Sequence, residues 1–158
     1  MGFGLILPIR IIQGLLALAV VGLSASVVHW YNATMVVASP SQLNFLIFGG
    51  IWSILSLVSI EAVPRFYPRA SNPYIALGVE ITNVLFWFSG FVALAVFLSK
   101  LLFCRGAVCH AAQVDAVFAA LSFAIWTSST VLLGRDLFKA GFRRPSAAGS
   151  APAMKQTA

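Results

Sequence analysis

Apolar residues in this chain gather into four long blocks, roughly Ile11–Val28, Asn44–Val63, Tyr74–Leu98 and Ala112–Leu133. At about 1.5 Å of rise per helical residue, each block covers or nearly covers a hydrocarbon core of about 30 Å. The pattern therefore predicts four transmembrane helices joined by short loops, an all-α integral membrane bundle. Residues 1–135 form the transmembrane domain in this reading, and residues 136–158 form a basic, largely disordered tail rich in small residues from Pro145 onward.

Composition agrees: 60% of the residues are hydrophobic and only 9% are charged. A water-soluble domain of this size needs far more charge to cover its surface. No stretch remains for a soluble catalytic domain, and the chain carries no phosphate-binding loop, hydrolytic triad or metal-ligand set. No enzymatic activity and no cofactor are expected.

The net charge of +6 raises nucleic acid as a partner, but the positions of the charges argue against it. Arg10, Arg65, Arg69, Arg135, Lys139, Arg143, Arg144 and Lys155 fall at alternate membrane faces, whereas the other faces hold only Lys100 and Arg105. The positive-inside rule then places both termini and the Pro64–Pro73 loop in the cytosol. Arg135, Lys139, Arg143 and Arg144 are candidate contacts for anionic lipid headgroups, and topology alone is the competing explanation of their charge.

The first block has a rival reading as a signal peptide, with Ser24-Ala25-Ser26 as small residues near its end. Its length and the position of Arg10 after Phe3–Ile9 favour a retained helix. Met1-Gly2 opens like a myristoylation site, but Ile6 stands where Ser or Thr is needed.

Cys104 and Cys109, the only cysteines, fall in the second outer loop. A disulfide is the expectation there, with palmitoylated or free thiols as alternatives. Two thiols beside His110 make an incomplete zinc set. Asn32-Ala33-Thr34 is a glycosylation sequon on the same face. It follows the interfacial His29-Trp30-Tyr31 and is expected to be unmodified because it lies too close to the membrane.

Charge inside a bilayer needs a partner or water. Arg10 and Glu80 lie at comparable depth in the first and third helices, so they are expected to pair, supported by Gln13 and Asn83 one turn deeper. Asp115, near the opposite face, is expected to meet Lys100, Arg105 or water. Either the Arg10–Glu80 pair is a structural clamp, or Glu80 is the coupling site of a small proton- or cation-driven transporter or channel component. Ala112, Ala116, Ala120, Ala124 and Ser128 recur every four residues, a small-residue ridge for packing within the bundle or for a homo-oligomer. Gly22 with Ser26, and Gly49 with Ser53, are shorter pairs of the same kind.

Four segments taken in order resemble fungal MARVEL-domain proteins. They are Arg10-x-x-Gln13 followed by an Ala/Val/Gly/Leu-rich helix, Phe48-x3-Trp52-Ser53-x-Leu55, Glu80-x2-Asn83-x3-Trp87-Phe88-x-Gly90-Phe91-x-Ala93-x-Ala95, and Cys104-x4-Cys109-x3-Gln113. The resemblance spans about residues 5–135. It implies a tetraspan with cytosolic termini that is not an enzyme and that works in membrane organisation, apposition or vesicle trafficking. The plasma membrane is the implied site, with secretory or endosomal vesicles as the alternative, and lipids, further copies of the chain or other membrane proteins are the implied partners.

Overall fold

A computed structural model describes residues 3–35, 38–67, 72–100 and 106–142. Four helices account for nearly all of them: α1 (Phe3–Thr34), α2 (Ser41–Phe66), α3 (Pro73–Lys100) and α4 (Ala107–Phe142). Each is long and apolar enough to cross a membrane. At 26 to 36 residues they are about 39–54 Å long, so they outreach the hydrocarbon core and carry their ends into the interfaces. The described part of α4 runs to Phe142, beyond the boundary at 135 drawn from the sequence, because nothing before Pro145 forbids helix. The remainder of the expected tail lies outside the described residues.

The helices form a closed ring in which α1 packs on α2 and α4, and α3 packs on the same two neighbours. Gln13 meets Ser129 while Ser24 meets Asp115, so α4 runs back along α1. This leaves α1 and α3 on a diagonal, parallel to each other.

The buried positions explain why the ring closes. They are Gln13, Ala17, Val20, Ser24 and Val27 on α1; Leu43, Leu46, Gly49, Gly50, Ser53 and Ser56 on α2; Glu80, Asn83, Trp87, Gly90 and Leu94 on α3; and Ala112, Asp115, Ala119, Ser122, Trp126 and Ser129 on α4. On α1, α3 and α4 steps of three and four residues alternate, and on α2 steps of three are reset by the adjacent Gly49 and Gly50. This holds a stripe on one side of each helix and suits the left-handed packing of most membrane bundles. Outward positions such as Leu15, Leu18, Leu55, Leu85 and Val117 are large, apolar and exposed. The outer shell is apolar, while the interior combines an apolar core with most of the buried polar side chains, as suits surroundings of lipid.

The small-residue ridge does not behave as a single face. A four-residue step turns 400°, so the ridge advances about 40° each time. It passes from buried Ala112 through half-buried Ala116 and Ala120 to exposed Ala124 and Ser128. The tightest helix approaches use other small residues. A Cβ on Gly50 would collide with Val21 and come within 3.2 Å of the Ala17 carbonyl oxygen on α1. One on Gly90 would stand 2.6 Å from Leu46 Cδ2 on α2. Gly22 faces open space, and Ser26 is exposed.

The aromatic residues divide in the same way. Trp87 and Trp126 fill the interior, while Phe86 gathers Phe45, Phe48 and Trp52 on one flank of α3 and Phe88, Phe91 and Phe123 form a second cluster on the other. At the opposite end of the bundle from the N terminus, Gly106 adopts a positive φ of 102° immediately before α4, a conformation that glycine takes without steric cost. Cys109, in the first turn of α4, is disulfide-bonded; Cys104 lies outside the described residues.

Candidate functional site: a polar column inside the bundle

Three groups of polar side chains lie along the interior at successive depths. The first is at the basic end. Arg10 Nη2 donates to Glu80 Oε1 across the bundle diagonal. Glu80 is fully buried, and only 11% of the Arg10 side chain is exposed. The long arginine reaches where the two backbones do not pack. Its Nη1 donates to Gln13 Oε1 at 3.2 Å, and Gln13 Nε2 donates to Ser129 Oγ at 3.0 Å. The Ser129 hydroxyl lies 2.9 Å from Glu80 Oε2 and 3.0 Å from the Trp126 carbonyl. The charged carboxylate is the stronger acceptor for its single proton. Both carboxylate oxygens thus face donors. The Arg10 guanidinium also stands 5.9 Å from the centre of the Trp126 ring, within cation–π range.

The second group lies one to two turns deeper. Trp87 Nε1 donates to Ser53 Oγ at 3.0 Å, and Ser53 Oγ donates to Asn83 Oδ1 at 2.7 Å. Asn83 Nδ2 in turn donates to the Val79 carbonyl at 2.9 Å. Asn83 therefore joins α3 to α2 and does not support the ion pair. It lies three residues from Glu80, about 60° around the helix, and so it turns from the bundle axis toward the α2 interface.

Asp115 and Ser24 form the third group, towards the disulfide end. Asp115 is fully buried, in contrast to the exposure to Lys100, Arg105 or water expected from its sequence position. It belongs to the buried stripe of α4, and its Oδ2 accepts from Ser24 Oγ on α1 at 2.5 Å. Lys100 is exposed, and Arg105 lies outside the described residues. Asp115 Oδ1 has no hydrogen-bond partner among the described residues, nor has Trp126 Nε1. Asp115→Asn keeps an acceptor for Ser24 and removes the possibility of a buried charge. It is therefore expected to leave the melting temperature in lipid or detergent unchanged or raised, whereas Asp115→Leu strands the Ser24 hydroxyl and lowers it. A large loss in Asp115→Asn would reveal a cationic partner.

Among the described residues no cluster of His, Cys, Asp and Glu is arranged to hold a metal. The column joins elements and leaves its one ion pair closed on itself. The chemistry on view is interhelical hydrogen bonding inside a lipid-facing shell. A family model for the membrane-associating MARVEL domain matches residues 3–132, most of the chain and parts of all four helices.

The chain belongs to the MARVEL family. It is accordingly a membrane-associating, multi-pass protein. No curated protein and no solved structure matches it. In this MARVEL domain, Arg10, Gln13 and Glu80 come together, and Ser129 is the member that sequence reasoning missed. Ser53 and Ser24 were likewise not placed as partners of Asn83 and Asp115. A signal for two of the missed positions was present: Asp115, Ser122 and Ser129 are seven residues apart, as are Ala17 and Ser24, and that heptad step holds a face that the four-residue step loses.

Of the candidate lipid contacts, Arg135 and Lys139 are exposed on the last turns of α4. Arg143 and Arg144 lie outside the described residues. Glu61 pairs with Arg65 at 3.6 Å, an exposed i,i+4 contact worth at most about 0.5 kcal/mol.

Proposed function

We propose that this MARVEL protein is a non-enzymatic scaffold that associates laterally with itself or with lipids to organise a membrane domain or assist vesicle trafficking. Both termini are cytosolic in this reading, and the plasma membrane is its site of action. The supporting observation is the closed Arg10–Glu80–Ser129–Gln13 group. An acidic residue that couples transport must exchange its proton or cation with a pathway. Glu80 instead has a donor at each oxygen, and the groove described below does not include it among its lining residues. These contacts support the scaffold over the transporter reading centred on Glu80. The orientation rests on the eight cations at alternate faces against two at the others.

The scaffold acts geometrically. A bundle tied internally by hydrogen bonds presents a shell of exposed aliphatic and aromatic residues to lipid, with Ala124 and Ser128 as small positions where another helix can approach. Arg135, Lys139, Arg143 and Arg144 meet anionic headgroups, each contributing about 1 kcal/mol near the surface. The test is the mass of the particle extracted in a native-like lipid environment, with bound lipids identified. A homo-oligomer retaining particular lipids is expected. A lipid-indifferent monomer would overturn the scaffold reading.

A further inference from the structure

Between the last turns of α2 and the first turns of α3, the bundle opens into a groove of about 430 Å³. Ile60 and Val63 form one wall, Ile75, Ala76 and Val79 the other, and Leu133 of α4 contributes from a third helix. The volume falls in the range of about 300–1,000 Å³ typical of small-molecule sites. It amounts to about one turn of a helix 10 Å across, too little to seat a transmembrane helix, whereas a narrow acyl chain can lie along it.

The surroundings of the groove specify the rest of the ligand. Tyr67 and Tyr74 are exposed close by in the chain, and tyrosines at the ends of membrane helices mark the headgroup level. The mouth therefore opens at the interface while the walls lie at hydrocarbon depth. Arg65 directly follows Pro64 of the lining, and its side chain is 72% exposed despite the contact with Glu61. Asn72 lines the mouth, with its Oδ1 accepting from the Tyr74 amide and its Nδ2 without a hydrogen bond among the described residues. Glu61 and Asp136 are the acids at this end of α2 and α4, against Arg65, Arg135 and Lys139 in the same helices. The surplus charge is positive.

We propose that this groove binds one acyl chain of an anionic phospholipid, with the headgroup held beside Arg65 and Asn72. The proposal rests on the scaffold reading only for the statement that this end faces the anionic leaflet.

The full chain would be reconstituted in phosphatidylcholine vesicles containing phosphatidylserine on both leaflets, with a photoreactive acyl chain on one lipid or the other. The expected result is phosphatidylserine label concentrated on Ile60–Val63 and Ile75–Val79, with about fivefold less from the phosphatidylcholine probe, the preference one basic residue gives near a membrane surface. Arg65→Gln is expected to bring the two probes level, and Ala76→Phe, which fills the groove, to remove the label at unchanged particle mass. Should Ala76→Phe fail to fold, Val63→Phe on the exposed side of α2 serves instead. Equal labelling by both probes in the unmodified chain, label that survives filling, or crosslinks between copies at these segments would each overturn the proposal. A monomeric particle that still labels selectively would overturn self-association of the scaffold and leave the groove standing.

Discussion

Glu80→Gln is expected to cut the yield of folded protein sharply and to lower its unfolding free energy by about 3–5 kcal/mol, the range for breaking a buried ion pair from one side. Glu80 is fully buried, and its removal leaves the Arg10 guanidinium facing a neutral amide in the interior. The amide also cannot accept from Arg10 and Ser129 as two carboxylate oxygens do. The same reasoning predicts an opposite result for the pair replaced together. Arg10→Met with Glu80→Leu removes both charges and their desolvation cost, so it should recover most of the loss and leave Gln13 and Ser129 bonded to each other. Measuring unfolding in mixed micelles for both variants and the unmodified chain completes the comparison. Normal yield of Glu80→Gln combined with loss of a pH-dependent ion flux in vesicles would overturn the clamp and restore the transporter.

Trp87→Ala should cost about 2–3 kcal/mol, while Trp87→Phe should cost less than half of that. Trp87 is 1% exposed and donates to Ser53, so the two substitutions separate packing from hydrogen bonding. Aromatic truncation in a water-soluble core costs about 3–5 kcal/mol. Part of that figure is transfer of apolar area from water, which is absent when the competing environment is lipid, so the cavity and the lost dispersion contacts are what remain. Phe retains most of the volume and loses the bond to Ser53, and interhelical hydrogen bonds in membranes average about 0.6 kcal/mol. Thermal unfolding in lipid nanodiscs would read both. Equal losses in the two variants would mean that the Ser53–Asn83–Trp87 group, and not the packing, holds α2 to α3.

These expectations depend on inward-facing polarity, and here sequence and tertiary structure contributed unequally. Arg10 and Glu80 were legible as partners because both are charges inside apolar segments, and depth along a helix follows directly from residue count at a fixed rise. Gln13 followed because it is one turn from Arg10. Asn83 was misplaced because depth gives no azimuth: it lies close to Glu80 along α3 but points to α2. Asp115 was misplaced for the same reason, its position near a helix end suggesting solvent while its side of α4 faces Ser24.

The sequence by itself determined the solvent, the number and order of the helices, and the family they belong to. Long apolar blocks admit only helices in a bilayer, where every backbone polar group must be satisfied within its own segment. Only the tertiary structure decided which side of each helix turns inward. Outside water, hydrophobicity does not distinguish core from surface, since Leu85 exposed to lipid and Leu94 buried in the bundle are equally well solvated by apolar groups. The choice rests on where small residues let backbones approach, as at Gly50 and Gly90, and on which polar groups find each other, as Ser129 finds Glu80. Both depend on pairs of positions far apart in the chain, and a pattern read along one helix does not contain them.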